Sequence, residues 1–161
     1  AHYNPAVTIS IWIRGACGKA EVVPYALSQL AAGLLAALIA ANLIVTGSIS
    51  EDYPIEMFEP SGMETSIIVS EILFTFALVF VILNVATSES TEGNGYYGAA
   101  IALVVLAGAL TVGSISLASF NPAVSLSLVV VGKMAAADLW LHLVPQLFGA
   151  GAASLVFNWN T

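Results

Sequence analysis

Charge is what this chain lacks most: 8% of its 161 residues are Asp, Glu, Lys or Arg, whereas soluble domains carry about 25%. Such a chain could not cover the surface of a water-soluble globule with polar groups, so a soluble enzyme is excluded first. Basic residues number three, Arg14, Lys19 and Lys133, against ten acidic ones. No cationic cluster exists to neutralise phosphates, which excludes nucleic acid as a partner. The single cysteine, Cys17, cannot form an internal disulfide, and the two histidines, His2 and His142, lie in no pattern with metal-ligand spacing. No metal and no cofactor is expected. Serines are numerous, yet no nucleophile, base and acid can be placed together, so no enzymatic role is read.

What is abundant is apolar side chain, 59% of the residues, with a mean hydropathy of +0.95. Windows of about 20 residues, the length that crosses a bilayer core of about 30 Å, predict four spans near Val22–Val45, Glu64–Thr87, Tyr96–Ser116 and Ala137–Phe157. The chain is therefore expected to be an all-α, multi-pass membrane protein whose first partner is the lipid bilayer. Between the spans, Gly47–Gly62 carries Glu51, Asp52, Glu56, Glu59, Pro54 and Pro60, and Ser88–Gly95 carries Glu89 and Glu92. These read as solvated loops rather than cation sites.

Two shorter apolar runs, Asn4–Ile13 and Asn121–Val131, are about ten residues each, roughly 15 Å of helix and half the thickness of the core. They are expected to be half-helices. Each opens on Asn-Pro-Ala-Val, with Asn able to cap and Pro at the first helical position, where a missing N–H costs nothing. Shifting the sequence by 117 positions sets Asn4-Pro5-Ala6-Val7 on Asn121-Pro122-Ala123-Val124 and continues without a gap. Ser10 then meets Ser127, Gly15 meets Gly132, Ala20 meets Ala137, Gln29-Leu30 meets Gln146-Leu147, Ala36 meets Ala153 and Leu38 meets Leu155, eleven identities in all. A duplicated unit of half-helix plus full span explains this most simply. Three predicted spans separate the two half-helices, an odd number, so the copies run in opposite directions and the repeat is inverted. Residues 1–161 form one transmembrane domain: 1–46 close the first repeat, and 64–161 make the second.

Asn4 and Asn121 then meet near the midplane, where irregular backbone is tolerated only if protein buries it or water lines it. Each half-helix directs about half a positive charge at that point, so cations are repelled. With each Asn oxygen used in capping, the amide NH₂ is left to donate to a passing solute. A water held by two such donors turns its hydrogens outward and interrupts a proton chain. Glu71 is the one ionisable residue well inside a span, and coupled transport usually needs several. Passive conduction of neutral hydroxylic solutes is the natural inference.

The paired boxes, and Ala1-His2-Tyr3-Asn4-Pro5-Ala6-Val7-Thr8 in particular, resemble the aquaporin (major intrinsic protein) family over essentially the whole chain. Exclusion of cations by half-helix dipoles is a general property of aquaporin-type pores, not a finding about this chain. The resemblance implies two further spans ahead of the first box, which this sequence does not contain. It implies that Glu71 steadies the loop beside the pore, that His2 braces the inner mouth and could gate by titration, and that Gln29 and, through the repeat, Gln146 are polar helix contacts. It also implies homotetramers in the plasma membrane. At the outer constriction Ala109, Ala118 and Val124 stand at the filter positions, with Val124 where family members usually carry Arg. That filter is expected to be wide and apolar, admitting glycerol or urea as well as water. The rival classes are a coupled secondary transporter with discontinuous helices and a non-conducting scaffold of the same fold.

Lesser expectations concern packing and orientation. Trp140, Trp159, Tyr96 and Tyr97 are expected at the headgroup level. His142 reads as an interfacial or helix-packing residue. Gly33 with Ala37, Ala109 with Gly113 and Gly149 with Ala153 read as packing seams. Arg14 and Lys19 against Lys133 place the start of the first full span in the cytoplasm.

Overall fold

The computed structural model describes residues 2–42 and 55–160. Among these residues six α-helices follow in order: α1 Pro5–Ile13, α2 Lys19–Ile39, α3 Glu64–Thr87, α4 Tyr97–Ser116, α5 Pro122–Val130 and α6 Trp140–Asn160. Among the described residues there is no strand. α2, α3, α4 and α6 are long and apolar enough to cross a membrane, whereas α1 and α5 have nine residues each, about 14 Å of rise. The segment from 43 to 54, with the end of the predicted Val22–Val45 span, the last residues of the 1–46 unit and the acidic residues Glu51 and Asp52, lies outside the described residues.

Both half-helices start and stop by the same local chemistry. Asn4 and Asn121 sit in extended conformation, and their side chains accept from the N–H of Ala6 and Ala123, with Pro5 and Pro122 following the cap. At the far end Gly15 (φ +85°) and Gly132 (φ +79°) take the left-handed conformation that a side chain would oppose. Gly15 N–H donates to Trp12 and Ala16 N–H to Ile11; Gly132 N–H donates to Val129 and Lys133 N–H to Leu128. This double bond pattern is the Schellman stop, present twice at the same repeat offset.

Several boundaries differ from the hydropathy reading: α4 begins one residue late and α6 ends at Asn160, three residues beyond Phe157, while two starts have a local cause. α2 begins at Lys19, three residues early, because the Glu21 carboxylate accepts from Gly18 N–H (2.8 Å) and nucleates the first turn. α6 begins at Trp140, three residues late, because Ala136–Asp138 form a 3₁₀ turn of their own. Hydropathy averages over such details.

The repeat is visible in the packing: α1 lies against α6 as α5 lies against α2. α3 and α6 make the closest pair, where a side chain on Gly149 would strike the Ile72 carbonyl and Phe76 N–H. At Gly33 the neighbours are Ser127 Oγ and the Ala123 carbonyl of α5. Those two seams match expectation; Gly113 has nothing within 4 Å, so the Ala109–Gly113 pair makes no close approach. The core joins Ala6, Val7 and Ile11 of α1 to Leu78, Val79, Ile82 and Leu83 of α3 and Ala150, Ala153 and Phe157 of α6. α2 and α4 are different, with Leu27, Leu35, Leu103 and Leu110 exposed. Apolar rows of that kind are stable against acyl chains or further helices, not against water. Trp140, Trp159, Tyr96 and Tyr97 are exposed near helix ends.

Candidate pore and its supports

The two Asn-Pro-Ala turns are tied to each other. Asn4 Nδ2 donates to the Phe120 carbonyl (2.8 Å) and Asn121 Nδ2 donates to the Tyr3 carbonyl (3.1 Å). Each asparagine therefore grips the residue that precedes the other, while its Oδ1 remains the cap of its own half-helix (2.9 Å in both). This corrects one expectation: the NH₂ group is not wholly free, since one of its two hydrogens closes the reciprocal clasp. One N–H of each asparagine stays outside the clasp.

A cavity of about 540 Å³ runs along one side of the clasp, bounded by α1, α3 and α4. Asn4, Asn121 and His2 line its floor; Ile82 and Ile101 line its wall, and Ala16, Thr87 and Tyr97 its rim. It opens on the side toward which α1 points. The filter positions lie outside it: Ala109 is exposed, Val124 is 42% exposed, and Ala118 packs beside the core.

The supports of the two turns are related by the repeat. Gln29 Nε2 donates to the His2 carbonyl (2.8 Å) and to Thr8 Oγ1 (2.9 Å). Gln146 Nε2 donates to Ser119 Oγ (2.8 Å), Ser125 Oγ (2.9 Å) and Glu71 Oε2 (2.7 Å). Positions 2 and 119, 8 and 125, and 29 and 146 are repeat pairs, so one amide fastens cap segment to half-helix in each half. The His2 ring stacks on Tyr25 with centroids 4.6 Å apart.

Glu71 has no counterpart among the described residues of the first half. It is fully buried and accepts from Ser116 Oγ (2.7 Å), Ser119 Oγ (3.3 Å), Phe120 N–H (3.0 Å) and Gln146. Its load is the turn between α4 and α5, where Leu117 (φ 61°), Ala118 (φ 47°) and Phe120 (φ 46°) are all left-handed without being glycine. Each costs on the order of 1–2 kcal/mol. Such residues persist only where their surroundings over-determine them. The Phe120 ring is pinned too, stacked on Phe74 (5.4 Å) and seated in the slot left by Gly108.

Of the two readings of His142, interfacial or helix-packing, the second holds: it is fully buried and its Nε2 lies 2.9 Å from the Ser116 carbonyl at the end of α4. Ser116, Ser119, Ser125 and Thr8 were missed by sequence reasoning. For Thr8 and Ser125 a signal existed, since both are hydroxyls four residues beyond the cap asparagine. The small polar residues ahead of Asn121 carry no such mark.

Fold and site together define a membrane-embedded inverted repeat in which two short helices abut at their capped N-termini. The comparisons with known proteins sharpen that class. The family model for Major intrinsic protein matches residues 1–157, and the chain belongs to that family. Similar proteins include "Aquaporin NIP1-4" of Oryza sativa subsp. japonica, 33% identical over 98% of this chain and 56% of its own length. "Aquaporin NIP1-1" of Zea mays is 32% identical over 98% and 54%, and "Probable aquaporin AqpM" of Archaeoglobus fulgidus is 30% identical over 99% and 66%. The chain thus spans about half the length of the plant relatives. With four membrane-length helices among the described residues it is an integral membrane protein.

Proposed function

We propose that this chain forms the greater part of a passive channel for water and small neutral solutes, glycerol and urea among them. The observation that carries the reading is the clasp. Two capped half-helix N-termini meet beside a cavity, and each asparagine keeps one N–H for an oxygen acceptor. Two converging positive helix ends disfavour cations, and a water held by both donors breaks a proton wire. Coupled transport is disfavoured because Glu71, the ionisable side chain deepest in a span, already takes four donors in a structural role.

Val124 sets the solute class. An Arg at that place would narrow the path and add donors and charge; Val removes all three. Swelling of proteoliposomes bearing the full chain in glycerol and urea gradients tests this. Uptake of either solute above empty liposomes supports it, and water permeation with rejection of both overturns it. Val124→Arg should slow glycerol entry by about tenfold and water by less than about threefold. A permeability equal to empty liposomes for water and solutes alike would instead favour a scaffold of the same fold. A plasma-membrane homotetramer with one pore per subunit completes the proposal; crosslinking in native membranes tests it.

A further inference from the structure

Resting on the channel reading, we propose that His142 is a positioning residue for the pore turn. Its ring N–H ties α6 to the Ser116 carbonyl, so that residues 117–120 keep the shape that fixes the constriction at Ala118 and Val124. A carbonyl only accepts, so Nε2 is the donor in the 2.9 Å contact. Ser116 is the last residue of α4, and its carbonyl is one of the four that a helix end leaves without an intrahelical partner. The same residue is held at its other end, its hydroxyl donating to Glu71 (2.7 Å) and accepting from Ala118 N–H (3.3 Å). Immediately after it the chain enters the left-handed run at Leu117 and Ala118. Ser116 is therefore the hinge post between a regular helix and a strained turn, and His142 holds its carbonyl.

The repeat supplies an independent argument. Position 142 falls on position 25 under the 117-residue shift. Tyr25 stacks on His2, two residues ahead of Asn4. In both halves a ring at this offset grips the segment leading into the half-helix, by stacking in one and by hydrogen bonding in the other. Packing alone would be met by any ring of that size. A donor is needed only because the second segment is strained.

The test uses the full chain carrying His142→Phe, which fills the space without a donor, and His142→Gln, whose amide can still reach the carbonyl. Should the phenylalanine variant fail to fold, His142→Asn, with an amide too short to reach, replaces it. Amide exchange of residues 116–123 in detergent is expected to rise about tenfold in the donor-less variant and to stay within about twofold in His142→Gln, with α1 and α2 unchanged. In proteoliposomes the ratio of glycerol to five-carbon polyol entry should shift at least threefold for the donor-less variant alone. Unchanged exchange without the donor, or equal loosening in His142→Gln, overturns the proposal. Wild-type liposomes that pass neither water nor polyol would overturn the channel reading instead, and the exchange result would still decide whether His142 holds the turn.

Discussion

The two Asn-Pro-Ala turns reach one geometry by unequal means. The first is held by a glutamine amide, one backbone carbonyl and one threonine hydroxyl. The second uses the equivalent glutamine and Ser125 in the place of Thr8, but adds a buried carboxylate, Ser116, Ser119 and the His142 ring. The difference tracks the backbone: non-glycine residues with positive φ occur, among the described residues, only at Leu117, Ala118 and Phe120. Symmetry of sequence fixes cap and clasp. Local strain decides how many additional bonds each copy must carry.

The sharpest way to break that comparison is to remove the carboxylate. Glu71→Gln turns an acceptor of four donors into a group that itself donates, and should destabilise the protein by about 3 kcal/mol. Thermal unfolding in detergent measures it, and a loss under about 1 kcal/mol would mean the second turn is not under strain. Next come the asparagines. Asn4→Ala and Asn121→Ala each lose a cap and one clasp bond, about 2 kcal/mol. Because the clasp is reciprocal, the two losses should agree within about 0.5 kcal/mol and the double variant should fall short of their sum.

The glutamines should separate the halves again. Gln146→Ala abandons three bonds and Gln29→Ala two, with expected losses of about 2 and about 1 kcal/mol. Equal losses would show that the carboxylate, not the amide, carries the second turn. The smallest effect concerns the segments after the half-helices, where Cys17 and the buried Met134 are repeat partners. Partial burial and then the Glu21 carboxylate push the Cys17 thiol above its usual range. Glu21→Gln should therefore speed maleimide labelling at pH 8 by about twofold.

Much of this was legible in the sequence because it is local or periodic. Half-helices of about ten residues follow from the Asn-Pro start and the length of each apolar run, within a residue or two of the nine-residue α1 and α5, and apolar length alone located α3 to the residue. The 117-residue shift alone sets Gln29 on Gln146. The clasp was not legible, because its bonds join residues 116 and 118 positions apart and depend on which hydrogen of an amide is engaged. For a related reason the sequence left His142 open between the headgroups and a helix contact. A histidine near the start of an apolar helix has the same pattern whether its ring meets headgroups or, as here, the end of another helix.

The reciprocal grip also has a consequence in time. Asn4 reaches its acceptor only after Phe120 exists, so until 116 further residues have been made the first half-helix lacks the peptide that completes it. Loop closure over such a separation is slow relative to local coiling. Early segments must wait, short and unfastened, for α5 and α6 to arrive. Maturation should then end in a single late step, with both caps acquiring protease resistance together and neither before α6 has entered the bilayer.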